Sequence, residues 1–198
     1  MQGELVLASG SPRRAELLAQ IRLPFRVMVA SVDETPRADE RPDAYVRRLA
    51  DAKASAVAAI VGDASWVLGA DTTVVVDGRV LGKPVDAADN AAMLHRLSAR
   101  THQVYTAVCV ARGAHRRAVV VCSEVEFSVI EPAAVAAYVR GGEGLDKAGG
   151  YAIQGLGGVF VKRLSGSYSA VVGLPLAETE ALLSLCGLDT WRVRGNEI

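Results

Sequence analysis

Leu5 to Arg14 reads L-V-L-A-S-G-S-P-R-R, an apolar run closed by two serines, a glycine, a proline and paired arginines. Leu5–Ala8 has the length and composition of a short buried strand. Ser11 followed by Pro12 is a helix start: a serine in the N-cap place, then a ring whose fixed φ and missing N–H suit the first helical position. This helix is predicted to run to about Ile21. The chemistry of the junction leaves two readings open. Either Ser11 caps an ordinary helix whose Arg13 and Arg14 are solvated, or an anion binds there. Cations in a first helical turn oppose the dipole by about 0.3–1 kcal/mol. A bound anion reverses that sign, because exposed N–H groups, serine hydroxyls and guanidinium forks converge on it.

Outward from this junction, strands and helices alternate. Phe25–Val32 reads as a second strand, followed by a charged, proline-punctuated stretch from Asp33 to Pro42. A long helix from about Asp43 to Val61 places Val46, Leu49, Ala50, Val57, Ile60 and Val61 on one face. Trp66–Ala70 and Thr73–Val76 read as strand, with Asp77-Gly78 as a hairpin turn into Arg79–Leu81. Asp86 caps a helix from Ala87 to about Leu97, with Met93, Leu94 and Leu97 inward. His102–Arg112 and Arg117–Ile130 are long β-rich runs joined across Gly113, a proximity that favours antiparallel pairing. Pro132–Arg140 is a short helix, Gly141 to Gly158 a glycine-dense loop, Val159–Leu164 a strand and Leu174–Leu185 the last helix. Thr190–Ile198 is polar and is expected to be a frayed tail. The pattern predicts an α/β fold and leaves open whether its sheet is parallel.

The chain has 198 residues, 51% apolar and 22% charged, the profile of a soluble globular protein with a real core, in one large domain or two joined lobes. Lys+Arg and Asp+Glu both total 22, and the zero net charge argues against broad binding to nucleic acid or an anionic membrane. A local basic pocket is compatible with it. Cys109, Cys122 and Cys186 are far apart and form no C-x-x-C pair, so neither a disulfide framework nor a zinc site is expected. No leader pattern and no apolar run of about 18 residues is present, so a cytoplasmic protein is the default expectation.

Several charged residues fall where apolar ones belong. Lys53 lies seven residues after Val46 and four before Val57, on the buried stripe of its helix. Either its stem snorkels past apolar neighbours or its ammonium faces an anion in a cleft. In G-A-D-T-T-V-V-V, Gly69 to Val76, Asp71 and Thr72 interrupt an otherwise continuous buried strand. A buried aspartate costs several kcal/mol unless it is paired or binds metal. Asp33 and Glu34, near another strand end, offer a second carboxylate for a hard divalent cation. Gly82-Lys83-Pro84 is no Walker A loop, yet Lys83 on a stiff turn is a candidate point charge for phosphate. In L-D-K-A-G-G-Y-A-I-Q-G, Leu145 to Gly155, the glycines either permit close backbone approach to a ligand or serve a flexible loop. Tyr151 and Gln154 are the candidates there for stacking and hydrogen bonding. His95, His102 and His115 have no metal-ligand spacing, and no nucleophile elbow occurs. Ser9, Ser11, Arg13, Arg14, Lys53 and Lys83 as anion binders, with carboxylates Glu34 and Asp71, suit metal-assisted hydrolysis of a polyphosphate.

These stretches, together with Lys53-Ala54 and G-S-Y-S-A-V-V-G-L-P at Gly166–Pro175, occur in an order that resembles the Maf family, over about Leu5 to Leu188. The resemblance implies a nucleoside triphosphate pyrophosphatase that cleaves between the α- and β-phosphates, with a divalent metal cation, Mg²⁺ or Mn²⁺. It implies a Maf/ITPase-like fold: an elongated mixed sheet with flanking helices, its two lobes around a central nucleotide-binding cleft, and a homodimer. The family's proton acceptor corresponds to Asp71. Its phosphate-binding positions correspond to Ser9, Ser11, Arg13, Arg14, Lys53 and Lys83, and its acidic position to Glu34; Glu34 and Asp71 stay the candidate metal-binding carboxylates. At the specificity positions stand Arg13, Thr72 and Gln154, which resembles the branch acting on dTTP and UTP. Two other readings use the same cradle: a nucleotide-sensing regulator of cell division without turnover, and a phosphatase removing only the terminal phosphate.

Overall fold

The computed structural model describes residues 4–195. Their elements are β1 (Leu5–Ala8), α1 (Pro12–Gln20), β2 (Arg26–Val27), α2 (Pro42–Val61), β3 (Trp66–Val76), β4 (Arg79–Leu81), α3 (Ala87–Leu97), β5 (Thr101–Arg112), β6 (His115–Phe127), α4 (Pro132–Gly141), β7 (Val161–Ser165), α5 (Tyr168–Val172), α6 (Leu176–Leu185) and α7 (Thr190–Gly195). Strand order is β2-β1-β3-β5-β6-β7, with β4 on β3. β1 runs parallel to β2 and β3, whereas β4 is antiparallel to β3 and β7 to β6. The fold is therefore α/β with a mixed seven-stranded sheet. None of the helices among the described residues is long and apolar enough to cross a membrane.

The chain divides into two compact units. The first is built from the chain up to Asp71, Thr106–Val121 and Gly173 onward; the second from Thr72–Tyr105 and Cys122–Val172. In the first unit, β1 is buried along its whole length between β2 and β3. β2 pairs with β1 only through Val6↔Arg26 and Leu7↔Val27, so the strand expected over Phe25–Val32 shrinks to two residues. α2 packs on β3 where Gly69 offers no side chain. A Cβ there would lie 2.3 Å from the Ala50 carbonyl oxygen and 2.7 Å from the Ala54 nitrogen. The buried stripe of α2 is Val46, Leu49, Ala50, Ala54, Val57 and Ala58. Ile60 was expected on it but is 65% exposed, and Val61 is only half-buried, because the helix outlasts its packing by a turn. β3 is one unbroken strand, so Asp71 and Thr72 do not interrupt it as the sequence suggested.

The C-terminal stretch is another correction. Thr190–Gly195 is helical rather than frayed, because its polar residues find partners. Arg194 Nε donates to the Ile21 carbonyl at 2.8 Å, and its Nη2 meets Glu180 Oε2 at 2.6 Å. Residues 196–198 of the expected tail lie outside the described residues.

In the second unit, Asp77 and Gly78 take positive φ of 50° and 71°, the left-handed pair that a tight two-residue hairpin requires. α3 opens as expected, with Asp86 Oδ1 accepting from the Asp89 nitrogen at 2.8 Å. Leu94, Leu97, Val104, Phe127, Val135 and Tyr138 form the core. α5 was not anticipated: Ser167 Oγ accepts from the Ala170 nitrogen and starts it inside G-S-Y-S.

Candidate active site

The end of β1 delivers Ser9 and the start of α1 delivers Ser11, Arg13 and Arg14. Ser11 holds the N-cap position, but its side chain makes no capping bond, and α1 has no acidic residue in its first turn. Its backbone nitrogen donates to Ser9 Oγ at 3.3 Å. Ser9 and Arg14 are both buried, and Arg13 half-buried. Arg14 Nη1 donates to Ser9 Oγ at 2.9 Å and Nε to the Gly173 carbonyl at 2.8 Å. Burial lowers the Arg14 pKa; the Asp71 charge opposes this, Arg13 adds to it and Glu34 opposes it. The paired arginines are thus unlike. Arg14 ties the helix start to the segment entering α6, so it is not the solvated surface arginine of the simpler sequence reading.

Lys53 extends from α2 to a pair of carboxylates. Its Nζ lies 2.7 Å from Asp71 Oδ1 and 2.7 Å from Glu34 Oε1. The lysine side chain is 15% exposed, so its ammonium faces anions, and those anions are the chain's own acids. Asp71 is buried in β3. Desolvation raises its pKa above the usual aspartate value, while Lys53 and Arg14 pull the other way and Glu34 adds to the rise. A carboxylate with raised proton affinity beside two cations is suited to accepting a proton from water. Among the described residues no three His, Cys, Asp or Glu side chains cluster as a metal site. Glu34 and Asp71 are nevertheless two oxygen donors converging on one positive centre, a donor set that fits a hard cation.

Three residues that sequence reasoning missed place Glu34. Tyr45 Oη donates to the Glu34 carbonyl at 3.0 Å, Arg48 Nη2 to the Thr35 carbonyl at 3.1 Å, and Arg48 grips Glu40 with both nitrogens at 2.6 and 2.7 Å. An aromatic and an arginine one turn apart on α2, facing the charged Asp33–Pro42 stretch, were the available signal.

Thr72, Lys83 and Gln154 belong to the second unit. Thr72 is half-buried beside Asp71 in β3, whereas Lys83 and Gln154 are exposed. The Lys83 loop is bonded to the glycine-dense loop, since the Gly149 nitrogen donates to the Gly82 carbonyl at 3.0 Å. Asn90, buried on α3, donates to the Gly150 carbonyl at 2.8 Å, a partnership that no local sequence pattern signals. Glu143 holds the turn after Gln154, accepting from the Leu156 and Gly157 nitrogens and from Tyr138 Oη. Tyr151 is not a stacking platform. It is 6% exposed, and its hydroxyl lies 2.8 Å from His102 Nε2 inside the core, where adjacent aromatic edges exclude water.

A family model described as Maf-like protein matches residues 4–186. The chain belongs to the Maf family. Its Maf relatives match along nearly their full lengths. The dTTP/UTP pyrophosphatase of Myxococcus xanthus is 54% identical over 95% of both chains. That of Alcanivorax borkumensis is 50% identical over 96% of this chain and 98% of its own. The nucleoside triphosphate pyrophosphatase of Xylella fastidiosa is 54% identical over 91% of this chain and 97% of its own. Among solved structures, the Ham1 protein of Staphylococcus aureus aligns with a TM-score of 0.46 at 16% identity, over 63% of this chain and 71% of that one. The Maf match spans both units, and it includes every candidate site residue from Ser9 to Gln154.

Proposed function

We propose that this chain is a pyrophosphatase that hydrolyses dTTP and UTP to the nucleoside monophosphate and pyrophosphate. The observation that carries it is Asp71, a buried carboxylate with raised proton affinity, held by Lys53 beside the serine- and arginine-bearing start of α1. Family membership and three relatives carrying pyrophosphatase names support the substrate class.

In this reading Asp71 takes a proton from water as the water oxygen bonds to the α-phosphorus. The bond from that phosphorus to the bridging oxygen breaks, and pyrophosphate leaves with the electron pair. The N–H groups at the start of α1, the Ser9 and Ser11 hydroxyls, Arg13 and Arg14 hold the phosphates. Lys53 and Lys83 balance the charge that develops on the leaving group. Glu34 and Asp71 are the residues that would hold Mg²⁺ or Mn²⁺, which supplies Lewis-acid stabilisation of phosphate oxygens when bound. Arg13, Thr72 and Gln154 select the base, the Gln154 amide pairing with both donor and acceptor on a pyrimidine edge. We also expect a homodimer in the cytoplasm, the former to be checked by light scattering.

The deciding test is product analysis. Incubation with Mg²⁺ and a panel of triphosphates, resolved by anion exchange, is expected to give monophosphate and pyrophosphate from dTTP and UTP. Diphosphate plus phosphate would instead make the chain a terminal phosphatase, and no product would leave a sensor. For base choice, Gln154→Ala is expected to narrow the preference for pyrimidine triphosphates. Unchanged selectivity would remove Gln154 from that role.

A further inference from the structure

The Asp33–Glu40 stretch lacks regular secondary structure, and Asp33 to Asp39 are exposed. Left to itself, such a segment samples many conformations, and ordering each backbone residue costs about 1–2 kcal/mol. Yet it carries Glu34, whose carboxylate meets Lys53 at 2.7 Å while 53% exposed. Something must hold it there. Arg48 touches the segment at both ends: the Thr35 carbonyl, next to Glu34, and the Glu40 carboxylate five residues further on. Glu40 in turn accepts from the Arg37 nitrogen at 3.1 Å and closes a turn in which Asp39 has a φ of 54°. The Arg48 side chain is 20% exposed and the Glu40 side chain 9%, so the pair is well shielded for a loop contact. Its geometry is the two-pronged fork available to arginine and not to lysine.

We propose that the Arg48–Glu40 pair is a latch that seats the Glu34 segment on α2, making both residues positioning residues for the Glu34–Lys53–Asp71 cluster. Neither touches the reacting atoms; they act through Glu34. The inference rests on the pyrophosphatase reading for its catalytic consequence, but not for the latch itself. Tyr45 completes the device, as the Arg48 guanidinium lies 5.5 Å over its ring and its hydroxyl holds the Glu34 carbonyl.

Two readouts test it. The first needs no activity: trypsin cleavage after exposed Arg37, mapped by mass spectrometry. Arg48→Ala and Glu40→Gln are each expected to cleave there at least about tenfold faster than the parent chain, the segment having become an accessible loop. The charge-swapped double variant, Glu40→Arg with Arg48→Glu, should recover most of the protection. The second is a kinetic cycle with Glu34→Ala. Arg48→Ala alone should lower kcat about tenfold to a hundredfold with the melting temperature little changed. Added to Glu34→Ala it should lower kcat no further, because the latch works only through that carboxylate. A purely structural role would give additive losses. Arg48→Lys should recover only part of the loss, since a point charge cannot reproduce the fork. Cleavage unchanged in both single variants, or full additivity, would overturn the latch. If the parent chain releases no pyrophosphate, the functional reading fails, while the cleavage result still decides the latch.

Discussion

An aspartate buried within a central strand keeps its charge only with cations beside it, and Lys53 and Arg14 fill that place for Asp71. As the proton acceptor, Asp71 cannot be replaced by an isosteric amide. Asp71→Asn is therefore expected to lower kcat by about 10²–10⁴, the usual contribution of a general base. Nucleotide binding, measured by calorimetry, should persist through the α1 start and the arginines. Turnover near that of the parent chain would remove Asp71 from the role. This residue was legible in the sequence because a charge among strand formers must be explained, and Lys53 because its helical phase buried it. Their mutual partnership was not legible. A lysine on a buried stripe shows that an anion is near, but not that two acids of the same chain supply it. Arg14 was misleading for a related reason: adjacency to Arg13 suggested a matched pair, whereas α1 turns Arg14 towards Gly173 and buries it.

At the level of elements, the signals that proved sufficient were local and chemical. Pro12, Asp77-Gly78 and Asp86 each fix a backbone conformation through their own atoms, and β1, β4 and α3 have the predicted bounds. β2 shrinks to the two residues that pair with Val6 and Leu7, and α7 was missed because the Ile21 carbonyl that receives Arg194 lies at the other end of the chain, with Glu180 as the counter-ion. Gly69 shows how an element contact reaches the site. Its missing side chain lets α2 approach β3 backbone to backbone, two residues before Asp71 and on the helix that carries Lys53. Gly69→Ala would force the helix away, and overpacking of this kind typically costs about 1–3 kcal/mol. The expected result is a lowered urea midpoint together with reduced kcat, although residue 69 touches no substrate. A midpoint and kcat both unchanged would mean that the helix has slack there. In the second unit, β5 buries His102 to 1% exposure, and burial lowers its pKa to about 4. As pH falls from about 6.5, the unfolded chain takes up a proton that the folded chain refuses, so stability declines until pH approaches 4. The difference corresponds to about 3 kcal/mol. His102→Gln removes the titration and should flatten this part of the stability profile measured by urea unfolding; an unaltered slope would assign it to other groups.

For the molecule as a whole, the first unit is a product of three separated chain segments, and its site inherits that dependence. The first segment carries Ser9, Arg14, Glu34, Lys53 and Asp71, yet Arg14 is held by the carbonyl of Gly173 at the head of the third. Further along that third segment, Arg194 closes on the Ile21 carbonyl at the end of α1, with Glu180 as its counter-ion and the Trp191 ring 4.8 Å from its guanidinium. α1 is therefore held by the third segment at both ends, and the loss of one hold should be felt at the other. A chain ending after Leu188 lacks α7 but retains Gly173 and α6, so it separates the two. Its first unit loses the Arg194–Glu180 pair and the cap on Ile21, a partly shielded set worth on the order of 1–3 kcal/mol. The melting temperature should fall by several degrees, and kcat measured well below the melt should drop more than KM rises, because α1 can shift relative to Asp71 while its phosphate-binding atoms remain. The point variant Arg194→Ala should reproduce a fraction of both effects. If truncation lowers the melting temperature and leaves kcat intact, then the Gly173 carbonyl alone suffices to place Arg14, and the third segment supports the site from one end only.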